Sequence, residues 1–478
     1  MRNLSSWKTT CAILMLCAAT AIASQAQTLT TLTTFDGTNG ANPFVMSLLQ
    51  SIDGTFYGTT SGLGGASAGT IFRITSAGAL TTLHTFCAKT HCSDGEQPYA
   101  GLVLGSDGNF YGTTHLGGTR LHGTVYKITP AGELTTLYNF CSVADCVDGW
   151  HPHGALIQGA NGNFYGTTKH GGANADGTIF EITPAGALTV LHSFDSTDGA
   201  EPTAGLILAT DGNFYGTTTT GGELTCQPPN GCGTIFNITP AGVLTTLYSF
   251  SGGTEGKTPG AELIQASNGN FYGTTQYGGA KGEGTLFQFL LGGALTTLHT
   301  FHNTDGAQPT AGLIQATDGN FYGTTSVGGD LTCEPPNGCG TIFEITAAGV
   351  LTTLKSFEAL DGVYPAGGLV QATNGSFYGT TYSGGLGIDG TVFSLSTGLG
   401  AFVRLPYDSG KAGQIIQVLG QGFTGTTGVF LNGTPASFTV KSDTLLKATV
   451  PAEATTGYVT VSALSGTLTS NLPFYVIP

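Results

Sequence analysis

The 478-residue chain holds 77 glycines and only 9% charged residues, against roughly 25% in an ordinary soluble domain. Long helices need charged, straight-chain residues on their exposed faces, so helical bundles, coiled coils and α/β barrels are excluded. A hydrophobic content of 40% is ample for a core and excludes a disordered chain, and a net charge of −15 excludes the phosphate neutralisation that nucleic-acid binding requires.

Residues 1–26 read as a secretory signal. Arg2 and Lys8 form a charged start, Thr10 to Ile22 is dominated by an apolar run, and two small-x-small sites follow at Ala21-Ile22-Ala23 and Ser24-Gln25-Ala26. The run is too short for a membrane anchor, which needs about 20 residues, and no later stretch could span a bilayer. The expected location is therefore secreted or in the cell envelope.

Internal repetition dominates the rest. The phrase Phe-Tyr-Gly-Thr-Thr recurs with its tyrosine at Tyr57, Tyr111, Tyr165, Tyr215, Tyr272, Tyr322 and Tyr378, spaced by 50 to 57 residues. Seven copies at such a period indicate a solenoid or a propeller. Each copy carries four short apolar runs, here called strands a to d. In the fourth copy they are Ala204–Ala209, Asn213–Thr218, Gly233–Thr239 and Leu244–Phe250. Between a and b stands Asp-Gly or Asn-Gly (Asp53, Asp107, Asn161, Asp211, Asn268, Asp318 or Asn374, then glycine), which predicts a two-residue type I′ hairpin. Thr-Pro-Ala-Gly or a relative joins c to d.

Four antiparallel strands of about six residues, seven times over, predict an all-β, seven-bladed β-propeller over residues 27–400. A parallel β-helix would not need such hairpins. An extra copy of strand d, Leu29-Thr-Thr-Leu-Thr-Thr-Phe35, precedes the first strand a. Placed as the outer strand of blade seven it would close the ring and remove an exposed edge. Ala401 to Leu405 is the competing candidate for that slot.

In such a meander the b–c and d–a loops share one face, and every length change falls there. So do four close cysteine pairs: Cys87 with Cys92 and Cys141 with Cys146 in d–a loops, Cys226 with Cys232 and Cys333 with Cys339 in b–c loops. They read as loop disulfides. A zinc site built from two converging pairs is the alternative. The d–a loops repeat an acidic-Gly-x-x-Pro signature at Asp94, Asp148, Asp198, Glu255, Asp305 and Asp361. These carboxylates either cap their own loops or hold Ca²⁺, a hard cation that takes oxygen ligands. No other cofactor is expected.

Histidines concentrate in the same face of blades two and three: His115, His122, His151, His153 and His170, with Trp150 beside them in Trp150-His151-Pro152-His153. An indole platform with imidazole donors could stack and orient a sugar ring or another small polar ligand, and neutral imidazoles could bind a transition metal; the structural alternative is that these are solvated loop residues. His84, His192 and His299 share one position on strand d and read as packing. Two motif matches carry no chemistry. Gly65-Ala-Ser67-Ala-Gly69 lacks the strand-to-helix turn of a nucleophile elbow, and Gly420-Gln-Gly422-Phe-Thr-Gly425 lacks a βαβ unit.

The pattern G-N-F-Y-G-T-T…G-T-I-F-x-I-T-P-A-G-x-L-T-T-L-x-x-F resembles the Gloeobacter–Verrucomicrobium tandem repeats, or GloVer repeats, over about residues 28–400. The resemblance implies export and a repeat scaffold, with no reaction to carry over. Some relatives end in a surface-anchoring segment, which this sequence does not show at Tyr475 to Pro478.

After a linker over 401–408, residues 409–478 alternate short strands with Gly/Asn turns, which predicts a small sandwich. Gly-x-Gly-Phe and Phe430-Leu-Asn-Gly-Thr-Pro-Ala436 resemble an IPT/TIG immunoglobulin-like domain. Lys411, Lys441 and Lys447 balance Asp408, Asp443 and Glu453, so the basic patch that DNA binding needs is missing, and a spacer or adhesion module is the expectation.

The expected function is that of an exported, monomeric, non-catalytic binding or surface-interaction protein. Its partner would be an extracellular glycan or protein, held by Trp150, His151, His153, His115, His122, His170 and Asp148. A polysaccharide lyase or hydrolase using His151 or His153 with Asp148, and a purely structural envelope or matrix protein, are the alternatives.

Overall fold

The computed structural model describes residues 27–44, 47–62, 68–407, 409–464 and 466–477. The expected signal sequence over residues 1–26 and most of the Gly65–Gly69 motif lie outside them. The chain forms seven antiparallel blades and a separate β-sandwich, and its only described helices are two three-residue 3₁₀ turns. Among the described residues no helix is long and apolar enough to cross a membrane.

Each blade runs a-b-c-d from the axis outward. In blade four the strands are Ile207–Leu208, Phe214–Thr218, Thr234–Ile238 and Leu244–Ser249. Blade seven takes a, b and c from Val370–Gln371, Phe377–Thr381 and Thr391–Ser396, and its outer strand is Thr28–Thr34 from the start of the chain. The N-terminal strand thus closes the ring. Val403 and Arg404, from the competing segment, bridge instead to Ser470 and Leu419 of the sandwich.

The repeated phrase encodes the ring. Its tyrosine packs on the phenylalanine of the next blade, with ring centroids 3.9–4.4 Å apart in all seven interfaces, including Tyr378 on Phe56 where the ends meet. Its last threonine pairs with the first threonine of strand c, hydroxyl to hydroxyl at 2.8–2.9 Å, in every blade. Burying these polar atoms is tolerated because each is bonded.

Two local expectations change. Strand a is two residues long rather than six, because the segment before it leaves its own sheet. The carbonyls of Ala100, Ala204, Ala261, Ala311 and Gly367 accept instead from a threonine hydroxyl of the preceding blade's strand b, at 3.0–3.5 Å. The a–b connection is a three-residue loop rather than a type I′ turn. In blade four Gly212 N–H donates to Ala209 O and Ala209 N–H to Asn213 O, and only the glycine takes a positive φ, +81°. That is a type I turn followed by a glycine bulge. Asp211 accepts from Asn213 N–H and from the Tyr215 hydroxyl. Where the copy has asparagine, as at Asn161, the amide donates to the tyrosine oxygen instead, so both residues fit.

The sandwich packs a three-stranded sheet (Ile415–Leu419, Leu445–Thr449, Phe438–Ser442) and a four-stranded one centred on Gly428–Leu431 and Val459–Ala463 around Val418, Phe423, Leu446 and Phe474. It docks on the a–b turns: Tyr407 donates to Gly105 O, and Gln421 to the Thr373 hydroxyl, both at 2.9 Å. The variable-loop face lies opposite.

Candidate functional site

The variable loops are built on a repeated bend. One residue before the d–a loop proline adopts a left-handed φ of 53–58° in every blade: Asn42, Gln97, His151, Glu201, Thr258, Gln308 and Tyr364. Such a conformation is uncommon for a residue with a side chain. It turns the residue after the proline toward the axis. In blade three the loop also forms a strand, Trp150–Pro152, paired with an extended strand b, Phe164–His170, which sets Trp150 directly across from His170.

These placements gather rings from four blades. His151 lies 4.3 Å from Trp150 and 4.4 Å from His115 between centroids. His115 stacks on Tyr99 at 4.6 Å, and Tyr99 meets Phe44 at 4.8 Å. His153 packs edge-on against Tyr99, Phe44 and His115, and Tyr382 of blade seven meets Phe44. At the outer end Trp150 contacts His122 and His170. All these rings are half-buried, so each keeps an accessible edge or face.

Four of the imidazoles, His115, His151, His153 and His170, are held toward the neutral form. Burial is the main cause for each: it brings His115 down to about 3, with the neighbouring His153 and His151 adding to the effect. His151 and His153 sit at about 4, and His170 is lowered as well. The Nδ1 of His153 donates to Thr203 O at 3.0 Å, a carbonyl that can only accept, which leaves Nε2 as an acceptor. The Nδ1 atoms of His115 and His122 are buried without a protein partner.

Asp148 does not join this cluster. Its carboxylate, buried to 3% exposure, accepts from the Tyr138 and Ser142 hydroxyls and from Ser142 and Val143 N–H. The other loop acids behave alike, each meeting a strand-d donor: His84 with Asp94, His192 with Asp198, Tyr248 with Glu255, His299 with Asp305 and Lys355 with Asp361. The strand-d histidines therefore anchor loops.

The eight cysteines of the described residues are joined within their own loops, as the spacing predicts. Cys87 is bonded to Cys92, Cys141 to Cys146, Cys226 to Cys232, and Cys333 to Cys339. The two classes of loop use them differently. Cys92 and Cys146 each end a 3₁₀ turn in a d–a loop. Cys232 and Cys339 are buried at the foot of strand c, where they tie the long b–c loops of blades four and six to the core. No two pairs converge to make the alternative zinc site. Among the described residues the one cluster with metal-ligand spacing is His122 with Cys141 and Cys146, whose sulfurs are joined to each other.

Sequence reading missed Phe44, Tyr99 and Tyr382, which come from blades one, two and seven. The signal was positional. The residue after the loop proline is Phe44, Tyr99 and His153 in blades one to three, but Thr203, Gly260, Thr310 and Ala366 in the others. It also missed Glu262. The residue two before strand a faces an axial cavity of about 300 Å³, and it is Ser47, Ala155 or glycine (Gly101, Gly205, Gly312 and Gly368) except in blade five, where it is Glu262. Enclosure raises the Glu262 carboxyl to about 7, against a lowering bond from Gly205 N–H. His153 lines the same cavity.

Several solved structures are similar at low identity. The extracellular domain of a protein named as a hybrid two-component system from B. thetaiotaomicron is 12% identical, covers 94% of this chain and 58% of its own, and has a TM-score of 0.49. A structure named as a 6-phosphogluconolactonase from Bacteroides fragilis is 17% identical over 69% of this chain and 86% of its own, with a TM-score of 0.44. A gluconolactonase from Xanthomonas campestris is 12% identical over 62% and 84%, with a TM-score of 0.37. No curated protein matches the sequence. The Gloeobacter/Verrucomicrobia repeat matches residues 19–228 and again 225–437, and the chain belongs to that repeat family.

Proposed function

We propose that this is an exported, non-catalytic binding protein that holds an extracellular carbohydrate on the aromatic surface of blades seven, one, two and three. The observation that carries this reading is the one-sided ring cluster. At the position after the loop proline, where blades four to seven carry threonine, glycine or alanine, blades one to three carry phenylalanine, tyrosine and histidine, and Trp150, His151 and His115 gather beside them. Flat rings with accessible faces take the C–H face of a sugar, and neutral imidazoles offer both a donor and an acceptor to its hydroxyls. The unpartnered Nδ1 atoms of His115 and His122 are groups that a bound hydroxyl or water would satisfy. Four loop disulfides fit an oxidising compartment and so support export after removal of residues 1–26. The C-terminal sandwich, docked on the opposite face, would act as a spacer.

A glycan array probed with the mature protein and with a Trp150→Ala/His151→Ala/His153→Ala variant tests the reading. The parent is expected to retain a ligand that the variant loses, and Trp150→Ala alone to weaken it roughly tenfold, the worth of one aromatic contact of about 1–1.5 kcal/mol. Blank arrays for both proteins would favour a structural scaffold, and turnover of a bound glycan would favour an enzyme.

A further inference from the structure

The axial cavity presents a chemical imbalance that the scaffold does not require. Among the described residues its wall combines leucines such as Leu102, Leu263 and Leu313 with main-chain groups, Ser47, Thr203 and Thr310, the ring of His153 and one carboxylate, Glu262; no described lysine or arginine lines it. The Glu262 side chain reaches over the neighbouring blade, where it accepts from Gly205 N–H, and a side chain at Gly205 would collide with it. Four copies of the repeat close the same wall with glycine and two with serine or alanine, so packing does not call for a carboxylate here. Among the described lining residues the other titratable group, His153, is held neutral, with Nδ1 already given to Thr203 O. An enclosed carboxylate with no described cationic neighbour among the lining residues is costly, and it is relieved by a proton or by a bound cation.

We propose that the axial cavity is a binding site for a small ammonium-bearing molecule, with Glu262 as its counter-ion. Surrounding carbonyl and hydroxyl oxygens supply the remaining acceptors for an N–H₃⁺ group, and the volume of about 300 Å³ is at the small end of ligand pockets. A hard metal ion would demand six or more oxygens within about 2.6 Å, and one carboxylate in so wide a space does not supply that shell. His153, Thr203 and Thr310 each follow the proline of a d–a loop, so the cavity opens toward the variable-loop face.

Calorimetric titration of the mature protein with ethanolamine, glucosamine, glucose and Ca²⁺ at pH 8 and pH 5.5 tests the proposal. At least one of the two amines is expected to bind at pH 8, to lose tenfold or more in affinity at pH 5.5, and to lose as much in both Glu262→Gln and Glu262→Gly. The glycine variant installs the residue that four other blades carry at this position, so it guards against misfolding as the cause. Binding is expected to survive Trp150→Ala, which separates failure here from failure of the carbohydrate surface. Amine binding unchanged by either Glu262 variant, no amine binding at all, or Glu262-dependent binding of Ca²⁺ alone would each overturn it.

Discussion

Glu262 and the rim histidines act on stability in opposite pH ranges. The folded chain holds the Glu262 carboxyl at about 7, above the ordinary 4.5, so between those values it keeps a proton that the unfolded chain has released. The stabilisation is complete below 4.5 and is lost as pH rises through 7. Glu262→Gln should therefore melt above the parent at pH 8 and together with it at pH 4, read by thermal unfolding. His115, His151 and His153 lie at about 3, 4 and 4, below the ordinary 6.5. Here the unfolded chain takes up protons first, so stability is complete above 6.5 and falls as pH drops toward 4. A His115→Gln/His153→Gln variant should show a shallower fall in melting temperature between pH 6.5 and 4.5. Equal slopes in parent and variant would mean that the rings are not enclosed as described.

At the scale of the element, the threonine pairs tie strand b to strand c inside each blade. Thr114→Val leaves the Thr124 hydroxyl, buried and bonded at 2.8 Å, without its neighbour, and should cost about 1–3 kcal/mol in urea unfolding. Adding Thr124→Val should cost less than the sum of the two single changes, since it removes the orphan. The blades and the turn role of the hairpin acids were legible because they repeat, whereas what the tyrosine and last threonine of Phe-Tyr-Gly-Thr-Thr touch became visible only in the fold. The site was only half legible for the same reason. Trp150, His151 and His153 stand together in the sequence, and His115 and His122 are near. Phe44 and Tyr382 reach them only because the ring brings blades seven and one beside blade two. Asp148 looked adjacent to the histidines by sequence, yet its loop folds back so that the carboxylate caps Ser142 and Val143. Turn types were misread because Asp-Gly suits both a two-residue hairpin and a type I turn with a bulge; the residues flanking the pair do not discriminate.

Across the whole molecule, blade seven depends on Thr28–Thr34, which pairs with Thr391–Ser396 and sends Phe35 into the core shared by blades one and seven. Removing residues 27–35 should lower the melting temperature and expose the edge of strand c, with self-association visible by light scattering. A truncated chain as stable and as monodisperse as the parent would contradict the closure described above. The same pairing has a kinetic side. Its partners are more than 350 positions apart in the sequence, so the ring cannot lock until nearly the whole propeller has emerged, and the first segment made is among the last to find its place. Such distant pairing is slow to form. No stable ring can therefore form ahead of the blade that completes it.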